Sequence, residues 1–167
     1  MRVTMPTADQ LRSGRCPELA RVRVPPEWQD LNGHVNVKHH LGMYDLTTDA
    51  MLALLGISAD WVRRERIGIF DLEHHIWFQR ELHVGEEVAL YLRFTARDAK
   101  RVQGVVFLLN TSNDEIASAI EFMSLAVHLD SRRAVALPAL ICERIDTLLR
   151  DQQTLDWPAP RSGAISL

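Results

Sequence analysis

Residues Pro26–Asp45 read PEWQDLNGHVNVKHHLGMYD, and the fold turns on them because the pattern changes character at their centre. Asp30, Asn32, Gly33, His34 and Asn36 crowd short polar groups into seven positions. From Val37 the apolar residues fall instead at Val37, Leu41, Tyr44, Met51, Leu52 and Leu55, the spacing of one helical face. Asn36 is suited to cap that helix, and Gly56 to end it in a left-handed conformation. The pattern predicts one helix of roughly five turns with a polar loop at its mouth.

On the N-terminal side, ARVRVPP alternates valine with arginine and stops at Pro25 and Pro26, as a short strand does. On the other side ISADWVRRERIG predicts a short helix capped by Ser58. Four strands are then expected at about 68–82, 87–97, 101–111 and 115–129, joined by the polar turns HVGEE, RDAKR and TSNDE. LPALICERIDTLLRDQQ predicts a C-terminal helix, followed by the irregular tail WPAPRSGAISL. Long strands with short turns make an antiparallel meander, and one amphipathic helix must bury its face against it. The expected fold is therefore α+β, a long central helix wrapped by a five-stranded antiparallel sheet. Its expected parts are a loosely held N-terminus (1–18), the main domain (19–132), and a C-terminal helix and tail (133–167).

Composition narrows the function classes. A net charge of -3 disfavours nucleic acid, whose phosphates call for a basic surface. No apolar run reaches membrane-spanning length, and residues 1–15 lack the hydrophobic segment of a secretory signal. The two cysteines, Cys16 and Cys142, have no CxxC spacing and suit a reducing compartment. A cytoplasmic protein is expected. His39–His40 and His74–His75 are adjacent pairs whose side chains diverge, and HExxH is absent, so no metal site is expected.

Three readings compete for the polar loop. Asn32-Gly33 is a strong hairpin signal, but the alternation after it dissolves into helical spacing, which disfavours a simple hairpin. A calcium loop beginning at Asp30 would need Gly at its sixth position and Glu at its twelfth, where Val35 and Leu41 stand. The third reading is chemical. The first turn of a helix leaves N–H groups unpaired and partly positive, so a carbonyl placed there is polarised and an oxyanion stabilised. A carboxylate just upstream then acts as nucleophile or as the base that activates water. Asp30 meets that requirement, with Asn32, His34 and Asn36 as its orienting partners.

The same residues carry a family resemblance. DLNGHVN resembles the Asp-x-x-Gly loop that precedes the long helix in hotdog-fold thioesterases of the 4-hydroxybenzoyl-CoA thioesterase-like superfamily. It also resembles the Asp-x-Asn-x-His-x-Asn motif of acyl carrier protein thioesterases, and IWFQRE resembles the strand of those enzymes that ends in Arg and an active-site Glu. The resemblance implies Asp30 as main carboxylate, Asn32 and His34 as partners, Glu81 as supporting acid and the Val37 N–H as oxyanion donor. The cysteine that follows the Glu in those plant-type acyl carrier protein thioesterases is Leu82 here, so no thiol nucleophile is implied. EWQDLNGHVNVKHHLGMYDLTTDAMLALLG with LEHHIWFQREL is similar, more specifically, to bacterial betainyl-CoA thioesterases of carnitine breakdown.

Together these imply a thioesterase acting on a small acyl-CoA, with no cofactor and CoA as part of the substrate. An open sheet edge makes a homodimer or dimer of dimers the expected assembly. A trimethylammonium acyl group would be held by aromatic faces and carboxylates, for which Trp28, Tyr44, Glu73 and Trp77 are the candidates. In the strand at 68–82, parity puts Phe70, Leu72, Ile76 and Phe78 toward the helix and Glu73, His75, Trp77, Gln79 and Glu81 on the other face. Arg97, Lys100, Arg101, Arg132 and Arg133 are candidates for the nucleotide phosphates. The alternatives are a hotdog enoyl-CoA hydratase and a non-catalytic acyl-CoA-binding protein. The hydratase resembles Asp-x-Asn-Pro-x-His, but here the His stands one position nearer the Asp and Pro is absent. The binding protein would have no need of Asp30.

Overall fold

The computed structural model describes residues 3–167. Five long strands form one antiparallel sheet: β1 (Glu18–Arg23), β2 (Ile67–Phe78), β3 (Glu87–Arg97), β4 (Arg101–Asn110) and β5 (Glu115–His128). Their spatial order is β1-β3-β4-β5-β2, so β1 and β2 lie at the edges. A two-residue strand, β6 (Arg133–Ala134), not expected from sequence, pairs with the end of β5. All five long strands begin within two residues of their expected starts, because alternation and polar turns mark them directly.

The helical layer differs from expectation. The helix begins as α2 (Lys38–Asp45), is interrupted, and resumes as α3 (Thr48–Leu54). The cause is Thr47, which is fully buried: its backbone N–H at 2.9 Å and its hydroxyl at 2.7 Å both donate to the Tyr44 carbonyl. That carbonyl would otherwise accept from the residue four along, so the turn tightens to i→i+3. The backbone stays right-handed through Leu46 and Thr47. Gly56 does adopt the left-handed conformation, at φ 73. α4 (Ala59–Glu65) starts where Ser58 accepts the Trp61 N–H at 3.1 Å. α5 (Ala139–Gln152) is the C-terminal helix.

Between the helices and the inner sheet face lies the main core, with Met43, Tyr44, Leu90, Leu92, Phe94, Val106, Leu108, Ile120 and Phe122. Alternate residues of the same strands, Ala89, Tyr91, Val105, Phe107 and Leu109, face outward into a second buried cluster. The chain ends cover it. The N-terminal segment forms α1 (Ala8–Leu11), held by a capping box between Thr7 and Gln10, and buries Leu11 and Cys16. The C-terminal tail adds Trp157, whose ring lies 4.1 Å from the Arg93 guanidinium carbon. The expectation of a loose N-terminus is thus corrected for the described residues. Apolar Leu11 and Cys16 pay for their ordering by closing a sheet face that would otherwise be wet.

β2 departs from simple parity. A bulge between Asp71 and Glu73 shifts its register against β5, so side chains before and after it change faces. Asp71 and His74 both turn toward the helix, where the Tyr44 hydroxyl donates to Asp71 Oδ2 at 3.0 Å and the Tyr44 and His74 rings meet edge to face. Ile76 packs on the core and Phe78 meets His40, as expected of the helix-facing side. Phe70 and Leu72 do not meet the helix; they stand 64% and 46% exposed. No helix among the described residues is long and apolar enough to cross a membrane.

Candidate active site

The polar loop is both a tight turn and a candidate site. Gln29 and Val35 form an antiparallel bridge, the Asp30 N–H donates to the His34 carbonyl at 2.9 Å, and the Gly33 N–H donates to the Asp30 carbonyl at 3.1 Å. Gly33 has φ 88, which a side chain would strain. The hairpin that helical spacing disfavoured is therefore present in miniature, and it ends where the helix begins.

The turn aims Asp30. Its Oδ1 accepts the Asn32 N–H at 2.7 Å, and its side chain is 19% exposed. His34 Nδ1 lies 3.7 Å from Asp30 Oδ2, too far for a direct hydrogen bond. Asn32 contributes through its backbone. Asn36 accepts the Lys38 N–H on its Oδ1 at 3.2 Å, the capping role expected of it, although the right-handed helical backbone already begins at Val37. The Val35 N–H donates to the Leu82 carbonyl at 2.8 Å, which ties the loop to the segment that leaves β2 and brings Glu81 alongside.

These tethers enclose a cleft of about 420 Å³ whose walls include His34, Val37, His40, Phe78, Glu81 and Leu82. Val37 is 61% exposed, and among the described residues its N–H has no acceptor. That group lies at the positive end of α2. Glu81 is the cleft's carboxylate, with its side chain 67% exposed and His83 Nε2 3.9 Å away. Asp30, Asn32 and Asn36 are not on the cleft wall; His34 is the wall residue nearest Asp30 in the loop.

The four residues expected to hold the acyl group are not gathered here. Trp28 stacks on His39, with ring centroids 4.8 Å apart, and packs against the main core. Tyr44 is buried with its hydroxyl committed to Asp71, and burial together with Asp71 pushes that hydroxyl well above its ordinary pKa. Glu73 is exposed beside the bulge. Trp77 faces the other side of the sheet, against the cluster of Phe107 and Trp157. Strand parity cannot carry Glu73 and Trp77 into a cleft that opens on the helix side. Asp71, in contrast, gathers three donors: Tyr44, His74 Nε2 at 3.0 Å, and the Ser124 hydroxyl at 2.5 Å. Burial alone would raise its pKa, but these bonds outweigh it and hold the carboxylate below its usual range.

Sequence reasoning missed His40. It is 4% exposed, yet it lines the cleft, its ring meets Phe78 edge to face, and its Nδ1 lies 2.8 Å from Ser118 Oγ. Burial, with His34 and His39 nearby, pushes its pKa down to about 4. The signal was its place three residues after Val37, on the same helical face. Reading it only as half of an adjacent pair concealed that. Of the basic phosphate candidates, Arg97 and Arg101 are engaged with Asp146 and Asp98. Among the described residues, no three His, Cys, Asp or Glu side chains are grouped to hold a metal ion.

Comparison with known proteins bears on the family and the fold. The profile described as the Thioesterase-like superfamily matches residues 24–145. A betainyl-CoA thioesterase of Pseudomonas aeruginosa is 27% identical, over 86% of this chain and 91% of its own length. An L-carnitine dehydrogenase/betainyl-CoA thioesterase of Rhizobium meliloti is 24% identical over 84% of this chain, which spans 28% of that longer protein. Among solved structures, a Staphylococcus aureus protein in complex with CoA superposes with a TM-score of 0.80 at 22% identity, over 91% of this chain and 96% of its own. A 1,4-dihydroxy-2-naphthoyl-CoA thioesterase of Synechocystis gives 0.65 at 17% identity, over 83% and 97%. These structures share the fold.

Proposed function

Because the chain belongs to the thioesterase-like superfamily, we propose that its cleft hydrolyses small acyl-CoA thioesters, with Asp30 and the start of α2 as the reacting centre. The observation that carries this reading is the Val37 N–H, free of any acceptor among the described residues and open to the cleft at the head of a helix. A thioester carbonyl seated there is polarised by that N–H and the helix dipole. Asp30, acting through a water or directly, delivers the attack, with His34 between it and the cleft. As base, Asp30 takes a proton from water while the hydroxide adds to the carbonyl carbon. The oxyanion then collapses, the C–S bond breaks, and the proton returns to the CoA thiolate. Nothing beyond water is needed as co-reactant.

The acyl group we propose is betainyl, on the strength of what the sequence relatives act on. In this cleft Phe78 and Glu81 are the side chains that would meet a trimethylammonium, and a neutral His40 does not repel it. We also propose a cytoplasmic homodimer. The β2 edge lacks a neighbour on one side and exposes Phe70 and Leu72, which suits pairing with a second copy. Both cysteines are free thiols, in keeping with a reducing compartment.

The test is a panel of acyl-CoA esters, betainyl-CoA included, with released thiol as readout. Turnover of at least one ester supports hydrolysis. Binding without thiol release would favour a non-catalytic acyl-CoA-binding protein, and water addition to an enoyl-CoA would favour a hydratase.

A further inference from the structure

We infer that His40 supplies a second oxyanion donor, its Nε2–H facing the same cleft as the Val37 N–H and its tautomer set by Ser118. The inference rests on the thioesterase reading and adds a catalytic residue to it.

The hydrogen-bond inventory fixes the tautomer. Ser118 is fully buried, and its hydroxyl has one partner among the described residues, His40 Nδ1 at 2.8 Å. If Nδ1 carried the proton, it would donate to Ser118 Oγ, and the serine O–H would be left buried with no acceptor. That arrangement strands a buried donor, which folded proteins avoid. If Ser118 donates to a bare Nδ1, both groups are satisfied, and the ring proton must sit on Nε2.

The remaining nitrogen then has only one place to look. His40 Nε2 has no hydrogen bond to any described residue, and it is not among the side-chain atoms that are both sealed from solvent and unpartnered. His40 as a residue is almost wholly buried, and the cleft is the opening it lines. Phe78 holds the ring edge to face with centroids 5.1 Å apart, so it cannot swing away without losing that contact. His40 and Val37 are three residues apart, and the His40 N–H bonds to the Val37 carbonyl at 3.2 Å. Both residues line the cleft, and a helical side chain leans toward the N-terminal end, where the Val37 N–H also points. A neutral N–H held toward the cleft suits a charge that appears only in the transition state.

Three measurements test this on the ester that the wild-type protein hydrolyses fastest. Nitrogen NMR of histidine-labelled wild-type protein at neutral pH should show His40 protonated at Nε2 and bare at Nδ1. His40→Met, which keeps volume and removes the donor, should lower kcat by roughly two to three orders of magnitude while KM changes little. His40→Gln, which restores an N–H, should recover part of that loss. A purely structural role would not produce that kcat-against-KM split with amide rescue. An Nδ1–H tautomer overturns the inference even if no variant folds. So does a folded His40→Met enzyme with undiminished kcat, while wild-type turnover leaves the thioesterase reading standing. A wild-type protein that releases no thiol from any ester removes that reading, and this inference with it.

Discussion

The Tyr44 hydroxyl donates to Asp71 Oδ2 at 3.0 Å and thereby fastens α2 to the edge strand β2 at its bulge. The sequence offers Tyr44 as an aromatic face for a trimethylammonium, but the geometry makes it a structural tie. Tyr44→Phe should cost about 1.5–3 kcal/mol of stability, the usual range for a hydrogen bond to a charged group. Its kcat should stay within about a factor of two of wild type, since no cleft group is removed. Urea unfolding and steady-state kinetics on one preparation decide it; a large kcat loss with unchanged stability would return Tyr44 to the reaction.

Asp30→Asn should fold normally, because the Asn32 N–H that Asp30 accepts at 2.7 Å can bond equally to an amide oxygen. Turnover should fall by roughly two to four orders of magnitude, as for loss of a positioned base. Retained turnover in a folded variant would take Asp30 out of the mechanism and leave Glu81, the carboxylate on the cleft wall, as the next candidate.

The parts of this architecture written as period and punctuation were legible in the sequence. Between their register shifts β3 and β4 alternate between two buried faces, and Ser58 and Gly56 bound α4 and α3 by ordinary capping chemistry. The illegible parts are decided by single contacts between distant residues. Nothing local announces that Thr47 will turn its hydroxyl on the Tyr44 carbonyl and split the helix. No glycine marks the bulge after Asp71, so every face assigned across it was open to inversion. The cleft shows the same division. Asp30, His34 and Val37 stand in one continuous stretch, whereas the partner of His40 is Ser118, seventy-eight residues away, which its helical spacing from Val37 does not reveal.

Acid should weaken the fold in a definite window. His40 is held neutral with its pKa down at about 4, against an ordinary value of 6.5. Between those values the unfolded chain takes up a proton that the folded chain refuses. Stability is therefore full above pH 6.5 and declines as the pH falls toward 4, by at most about 3 kcal/mol from this residue. Burial and Lys38 depress His39 in the same direction. His40→Gln should flatten the unfolding free energy between pH 6.5 and 4. An unchanged slope would show that His40 protonates freely in the folded state.

Edge pairing predicts a dimer that one charge can break. Phe70 and Leu72 are exposed on β2, beside backbone groups with no neighbouring strand on that side. Sedimentation at micromolar concentration should show a dimer for the wild-type protein and a shift toward monomer for Leu72→Asp, which buries a charge if the edge is paired. A wild-type monomer with full activity would remove both the dimer and any role for a partner in the cleft.

The acyl group offers the sharpest test of substrate. Of the aromatic side chains, Phe78 lines the cleft, whereas Trp28 and Trp77 are turned to other packing. A single exposed aromatic face holds a quaternary ammonium by about 0.5–1 kcal/mol, and desolvation by a bound acyl chain raises that toward 2. Glu81 adds attraction of the same sign, reduced by its exposure to water. Betainyl-CoA should therefore exceed its neutral isostere, 3,3-dimethylbutyryl-CoA, by roughly tenfold in kcat/KM. Phe78→Leu and Glu81→Gln should each narrow that ratio, and added salt should act chiefly on the share contributed by Glu81. Equal kcat/KM for the two esters would mean that the cleft reads acyl shape alone. A neutral preference would point to an acyl group that packs on Phe78 without a charge.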